Sequence, residues 1–219
     1  MTEYLPWLVL ALLGGFHGVN PGMGWLFAVA LGLQERSRAA VLRAFGPIAL
    51  GHAASVALVV ALVGAAQVWL APGALRILGG SGLMAFGLYK LFAPMSHPRW
   101  VGMRVGARDL MTWSFLMATA HGAGLMLLPV LLDIPIAAAY AEHADAGHAL
   151  MMTTPGVLTW PELAAIGVHT AAMYVVMAAI ALVVFEKLGV AILRRAWFNL
   201  DRVWAGGLIA AGMGSLIFF

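Results

Sequence analysis

Four of the seven histidines lie inside long apolar stretches: His17, His52, His121 and His169. Neutral imidazole is a common ligand for Zn²⁺, Ni²⁺, Co²⁺ and Cu²⁺, and it also takes up a proton near physiological pH. Ionisable residues inside a membrane span usually mark a functional path, since a charged group at the centre costs about 2.5–3.5 kcal/mol on insertion scales. The four histidines are therefore candidates for one shared metal or proton site. The alternative for each is a single hydrogen bond to a neighbouring helix.

Several residues close to these histidines in sequence extend the candidate site. Helical spacing of three or four residues brings side chains onto a common helix face. The resulting candidate substrate path contains Asn20, Pro21, Ser55, Met117 and Met173. Methionine thioethers would favour copper, although the 13 methionines of this chain also suit ordinary packing.

The first apolar stretch, residues 5–33, is interrupted in its middle by His17, Asn20, Pro21 and several glycines. Proline lacks a backbone donor and clashes with the preceding turn, so the carbonyls near Phe16 and His17 are expected to lose their helical partners. Broken backbone survives at membrane depth only when it is buried in protein or lines a cavity. Discontinuous helices of this kind are typical of transporter sites.

The composition indicates an integral membrane protein with a single membrane domain, residues 1–219. The sequence is 63% hydrophobic and only 10% charged, too few polar residues to cover a soluble globule. The net charge of +3 comes from short loops between apolar runs, so nucleic acid is not an expected partner. The lack of cysteine excludes thiol chemistry. The shortage of acids in the spans argues against a hydrolytic enzyme, which usually needs a carboxylate base.

The pattern predicts an all-α fold with six transmembrane helices at about 5–33, 45–70, 77–93, 110–132, 161–185 and 203–219. All Lys and Arg residues except Arg76 lie in the three loops after the first, third and fifth spans or, for Lys90, near the end of the third span that leads into its loop. The positive-inside rule places these loops in the cytoplasm and both termini outside. The expected location is a bacterial inner (plasma) membrane, with the lipid bilayer as a partner.

The external loop, residues 133–160, contains Glu142, His143, Asp145 and His148 and no Lys or Arg. Carboxylate and imidazole groups together suit divalent cations, so these residues are candidates for external capture of a metal ion. The alternative is a solvated segment whose charges keep it out of the lipid.

Short motifs recur in the same order in the two halves of the chain. His17-Gly18-Val19-Asn20 is echoed by His121-Gly122-Ala123-Gly124, and Gly51-His52-Ala53-Ala54 by Val168-His169-Thr170-Ala171. Arg76-Ile77-Leu78-Gly79-Gly80 is echoed by Arg202-Val203-Trp204-Ala205-Gly206-Gly207. These echoes predict two three-helix repeats, at about 1–95 and 108–219. Because each repeat has an odd number of spans, the two must be inverted.

The residues from Asn20-Pro21-Gly22-Met23-Gly24 to Leu33, the basic loop Arg36-Ser37-Arg38 and the segment Ala44-Phe45-Gly46-Pro47 to His52 resemble the lysine-exporter superfamily of six-span transporters. The histidine in the first span and Leu50-Gly51-His52 in the second are similar to the nickel/cobalt permease and urease-accessory branches. The resemblance implies a six-span transporter.

Taken together, the sequence predicts transport of a divalent transition-metal ion (Ni, Co, Zn or Cu) through a histidine-lined site, with proton exchange as the coupling. One alternative is an exporter of amino acids or other small cationic solutes with a histidine proton relay. A second is a membrane enzyme or electron carrier in which paired histidines bind haem or a metal. The sequence leaves open whether the chain forms a homo-oligomer.

Overall fold

A computed structural model describes residues 4–67, 69–92, 105–133, 158–188 and 200–217. Within these ranges the fold is all-helical, as predicted. The helices are α1 (Leu5–Val19), α2 (Trp25–Glu35), α3 (Arg38–Ala66), α4 (Pro72–Phe92), α5 (Ala107–Ala120), α6 (Ala123–Asp133), α7 (Trp160–Val183) and α8 (Leu200–Ile217). A π-helical turn, Val184–Leu188, extends α7. The predicted capture residues Glu142, His143, Asp145 and His148 lie outside the described residues.

The predicted break in the first apolar stretch is confirmed, because α1 and α2 are separated by a 3-10 turn, Pro21–Met23. Asn20 caps this turn, with its side-chain oxygen accepting from the Gly22 amide at 2.9 Å. As expected, the His17 carbonyl has no helical partner four residues on, because that residue is Pro21 and lacks an N–H. It accepts from the Asn20 amide at 3.1 Å, three residues on. The carbonyls of Val19 and Gly22 instead receive side-chain donors, because the turn diverts the backbone there.

The fourth predicted span is also broken, which the sequence pattern did not predict. Helix α5 ends at Ala120, and α6 begins at Ala123 after a turn at His121 and Gly122. Gly122 has a φ of +70°, a left-handed conformation that glycine adopts readily. A second discontinuous helix pair therefore follows the first, and a histidine lies at each break.

The helices associate mainly in three close pairs: α1 with α7, α3 with α5, and α4 with α8. Helix α3 also packs on α7 and brings the first two pairs together. Helices α3 and α5 approach closely at Gly51, which has no side chain; a Cβ there would collide with the Met111 carbonyl. Most buried side chains of the larger apolar core come from α2, α3, α7 and α8, with Phe45, Ile48, Met177 and Leu208 among the largest.

Two of the described helices, α3 and α7 with its π turn, are long and apolar enough to cross a membrane. Helices α1, α2 and the Val203–Ile217 part of α8 are shorter but also apolar. The outer faces carry exposed aliphatic side chains, including Leu50, Leu62 and Val175. An apolar outer face is what a bilayer requires and what water disfavours.

Candidate functional site

Three of the four predicted histidines lie together at the centre of the described fold. The ring centroids of His17 and His169 are 4.8 Å apart, those of His17 and His52 5.5 Å, and those of His52 and His169 5.4 Å. All three side chains are fully buried. Each comes from a different helix, α1, α3 or α7. We refer to His17, His52 and His169 as the three-histidine cluster.

Small residues on α1 allow this close approach. Gly14 and Gly18 are four residues apart and face α7, where a Cβ at Gly14 would collide with the His169 carbonyl. A Cβ at Gly18 would lie 2.6 Å from the Met173 carbonyl. Small residues at this spacing let two helix backbones meet, which is common at membrane helix interfaces. The result is that His17 and His169 are held side by side.

Backbone hydrogen bonds fix the tautomers of two members of the cluster. His17 Nδ1 lies 2.8 Å from the Leu13 carbonyl oxygen, and His169 Nδ1 lies 3.3 Å from the Leu10 carbonyl oxygen. A carbonyl only accepts, so Nδ1 carries the proton and donates in both rings. In a neutral ring, Nε2 then has a free lone pair. Neutral rings are favoured here, because a protonated Nε2 would bury a charge without a partner.

Four imidazole nitrogens in the three-histidine cluster have no hydrogen-bond partner. They are Nε2 of His17, Nε2 of His169 and both ring nitrogens of His52. Buried polar atoms in proteins are nearly always hydrogen-bonded, and each exception calls for an explanation. Unpartnered donors and acceptors concentrated in one cluster make it the candidate site for a proton, a metal ion or a polar ligand.

His121 lies at the second break and is linked to the cluster through Trp204. Its Nδ1 donates to the Met117 carbonyl at 2.7 Å, repeating the bond that His17 makes four residues back. The Trp204 ring is edge-on to both histidines, with centroids 4.4 Å from His17 and 5.5 Å from His121. The structure therefore brings three of the predicted histidines into direct contact with one another. The fourth, His121, contacts Trp204, which in turn contacts His17 of the cluster.

The remaining candidates of the substrate path are divided between the cluster and the breaks. Ser55 is buried on α3 and bonds Thr119 on α5 at 2.8 Å. Met173 is buried at the α1–α7 contact. Asn20 is buried at the first break, where its amide nitrogen has no hydrogen-bond partner. Met117 and Pro21 also lie at the breaks, with the Met117 methyl close to Gly22. No methionine is thereby identified as a ligand.

The described part of the site contains no carboxylate. The buried polar side chains of all the described residues are His17, Asn20, His52, Ser55, Ser114, His121, His169 and Ser215. Among the residues that the structure describes, no three His, Asp or Glu side chains have the arrangement of a preformed metal site. The cluster itself offers only imidazole nitrogens as ligands.

Three tryptophans at the breaks were not among the sequence candidates. The indole N–H groups of Trp25, Trp113 and Trp204 donate to the carbonyls of Val19, Gly22 and His121 at 3.1, 3.3 and 2.9 Å. Each bond satisfies a carbonyl where a helix is interrupted, as buried backbone requires. The only available signal was a tryptophan inside an apolar run, which usually indicates packing.

Comparison of the chain with protein-family models, with curated proteins and with solved structures gives no match.

Proposed function

We propose that this chain is a membrane transporter that carries a divalent transition-metal ion through the three-histidine cluster. The observation that carries the proposal is the pair of oriented imidazoles at His17 and His169. Each donates Nδ1–H to a backbone carbonyl and leaves a buried Nε2 lone pair without a partner. Metal-binding histidines almost always donate their other ring nitrogen to a carbonyl, a carboxylate or water, which fixes the ring and raises its basicity.

His52 supplies the third nitrogen of the proposed site. Both of its ring nitrogens are buried and unpartnered, so rotation of its ring breaks no hydrogen bond of its side chain. In the proposed site, turning this ring directs one of its lone pairs towards His17 and His169, whose ring centroids lie 5.5 and 5.4 Å away. Three imidazoles suit Zn²⁺, Co²⁺, Ni²⁺ and Cu²⁺ and leave a coordination position for water, which suits an ion that must also leave.

The proposed membrane architecture is six spans in two inverted three-helix repeats. In this scheme α1 and α2 form the first span and α5 and α6 the fourth, with a histidine at or near each break. Exchanging the repeats turns the α1–α7 pair into the α5–α3 pair and leaves α4–α8 as itself, and all of these pairs pack closely. The same proposal makes the chain a member of the lysine-exporter superfamily. It places the chain in a bacterial inner membrane with both termini outside the cytoplasm.

In this scheme the ion moves by alternating access around the cluster. The three rings are fully buried, which corresponds to a state closed to both sides. Opening to either side admits water and lets the imidazoles take up protons, and protonation competes with the metal for the same lone pairs. Proton exchange at the cluster is the proposed coupling.

The second candidate is an exporter of small cationic solutes or amino acids in which the histidines relay protons. It is favoured by the absence of a preformed three-residue metal arrangement among the described residues. Haem fits less well, because the ring centroids of His52 and His169 are only 5.4 Å apart, too close for a macrocycle between them. His52 and His169 are instead stacked with 15° between their planes.

The test is metal binding by the purified protein. Titration calorimetry and elemental analysis with Zn²⁺, Ni²⁺, Co²⁺ and Cu²⁺ would compare the native chain with His17→Gln, His52→Gln and His169→Gln. Glutamine keeps a buried polar group while removing the imidazole. We expect about one ion per chain, with affinity reduced at least tenfold in each variant, as loss of one of three ligands implies. The variant His121→Gln distinguishes a site of three ligands from one of four, because its metal affinity should fall only if His121 is a fourth ligand.

Flux in proteoliposomes completes the test. A fluorescent chelator inside the vesicles reports metal entry, and labelled cationic amino acids report the second candidate. Metal flux that disappears in His52→Gln supports the metal transporter. A native protein that binds none of the four ions, or a triple glutamine variant that binds them as tightly, refutes it. Amino-acid flux by a metal-free protein would establish the second candidate.

A further inference from the structure

We propose that Trp204 is the gate residue that closes the three-histidine cluster on the side of His121. The proposal deepens the proposed function, because it assigns the moving part of the same ion path. Trp204 lies on α8, and its side chain is only 3% exposed. It is far in sequence from every histidine that it contacts, so its role follows from the tertiary structure alone.

All of the ring contacts of Trp204 in the described structure are with residues at the site. Its indole is stacked on Phe16, with centroids 5.0 Å apart and 5° between the planes. The same indole is edge-on to His17 at 4.4 Å and to His121 at 5.5 Å. Phe16 and Trp204 thus form an aromatic layer against one member of the cluster. A hydrated ion cannot pass such a layer unless the rings move.

One polar contact holds the indole in this position. Trp204 Nε1 donates to the His121 carbonyl at 2.9 Å, at the turn where α5 ends. The next residue, Gly122, is in a left-handed conformation, so the backbone here is a turn rather than a continuous helix. A carbonyl at a helix break can exchange an indole donor for water when the site opens. The closed position therefore depends on a bond that hydration can replace.

Helix α8 packs closely against α4, so the two helices are expected to move as one unit. A Cβ at Gly212 would lie 2.7 Å from the Gly80 carbonyl, and a Cβ at Gly87 would lie 3.0 Å from the Ala205 carbonyl. These backbone contacts make α4 and α8 a close-packed pair. Alternating access in transporters proceeds largely by rocking one helix group against another around a fixed site. Rocking of the α4–α8 pair withdraws Trp204 from His17 and opens the path to His121.

Chemical labelling of the histidines tests the gate independently of transport. Diethylpyrocarbonate carbethoxylates neutral imidazole nitrogens that it can reach, and mass spectrometry of peptides gives a rate for each histidine. The native protein in detergent should protect His17. Trp204→Ala removes the aromatic layer, and we expect the His17 rate to rise at least about tenfold. The rates at His52 and His169 should rise less, because Trp204 makes its ring contact in the cluster with His17.

Two further variants separate gating from general loosening. Trp204→Phe keeps an aromatic ring but removes the indole donor, so the expected His17 rate lies between those of the native protein and Trp204→Ala. If Trp204→Ala does not yield folded protein, this variant decides the question. Trp25→Phe is the matched control, because it removes a buried indole donor at the other break. It should leave His17 protected.

An unchanged His17 rate in both Trp204 variants overturns the gate, and so does an equal rise in Trp25→Phe. Zn²⁺ binding by the native protein is measured separately. A native protein that binds no metal refutes the metal cargo, while selective exposure of His17 in the Trp204 variants still supports a gate for the solute or proton path.

Discussion

Replacing Gly14 with alanine should force α1 away from α7 and disturb the three-histidine cluster. The added Cβ would collide with the His169 carbonyl oxygen and would lie 3.0 Å from its carbon and 3.1 Å from the Ala172 Cβ. Carbon atoms prefer separations of about 3.5–4.0 Å, and a carbon and a carbonyl oxygen about 3.3–3.6 Å. Because the oxygen is the closest of these atoms, the helices must separate by at least about 1 Å. Backbone atoms cannot rotate out of the way, and the shift therefore moves whole helices.

The cost can be worked out from the contacts. Overpacking of this kind costs about 1–3 kcal/mol. The bond of 3.3 Å between His169 Nδ1 and the Leu10 carbonyl would lengthen beyond hydrogen-bond range, a loss of about 1 kcal/mol. Alanine in place of a helical glycine returns about 0.5–1 kcal/mol. The net loss of stability is about 1–3 kcal/mol, or about 2–4 °C in Tm for each kcal/mol in a chain of this size.

Gly15→Ala is the matched control, because this neighbour lies in the same helix and gains the same helix propensity. A Cβ at Gly15 meets only Val176 Cγ2, at an ordinary contact distance of 3.5 Å. Thermal unfolding in detergent, followed by tryptophan fluorescence, should show a lower Tm for Gly14→Ala and an equal or higher Tm for Gly15→Ala. Zn²⁺ affinity should fall in Gly14→Ala only. Equal Tm values for the two variants would refute the close α1–α7 contact.

Two other predictions concern the bonds between helices. Ser114→Ala removes the buried hydrogen bond of 2.7 Å from the Ser114 hydroxyl on α5 to the Ile48 carbonyl on α3. The free energy of unfolding should fall by about 1–3 kcal/mol in the same assay. An unchanged Tm would contradict the α3–α5 packing. Glu186→Gln removes the exposed ion pair of 2.9 Å between Arg38 and Glu186. The free energy of unfolding should fall by less than about 1 kcal/mol, and the difference should disappear at about 1 M salt. A loss that persists in high salt would show that the pair is more than a screened surface contact.

Much of the chemistry of the candidate site could be predicted from the sequence because it depends on residue type and local hydropathy. Buried histidines inside apolar runs are visible without a fold, and so is the break at Pro21, since proline disrupts a helix wherever it stands in the interior. The second break at His121 was missed because no proline marks it. The turn there depends on a left-handed glycine, Gly122, and glycine is too common in this chain to indicate a break on its own.

The sequence by itself determined that the described chain is helical, which histidines are candidates, and where the first span is interrupted. These properties follow from composition, hydrophobic period and the local stereochemistry of proline. Only the tertiary structure decided that His17, His52 and His169 share a cluster while His121 meets it through Trp204. Trp204 bonds a carbonyl 83 residues away in the chain. Distances of this kind depend on which helices pack together, and packing is set by small-residue contacts such as Gly14 against His169.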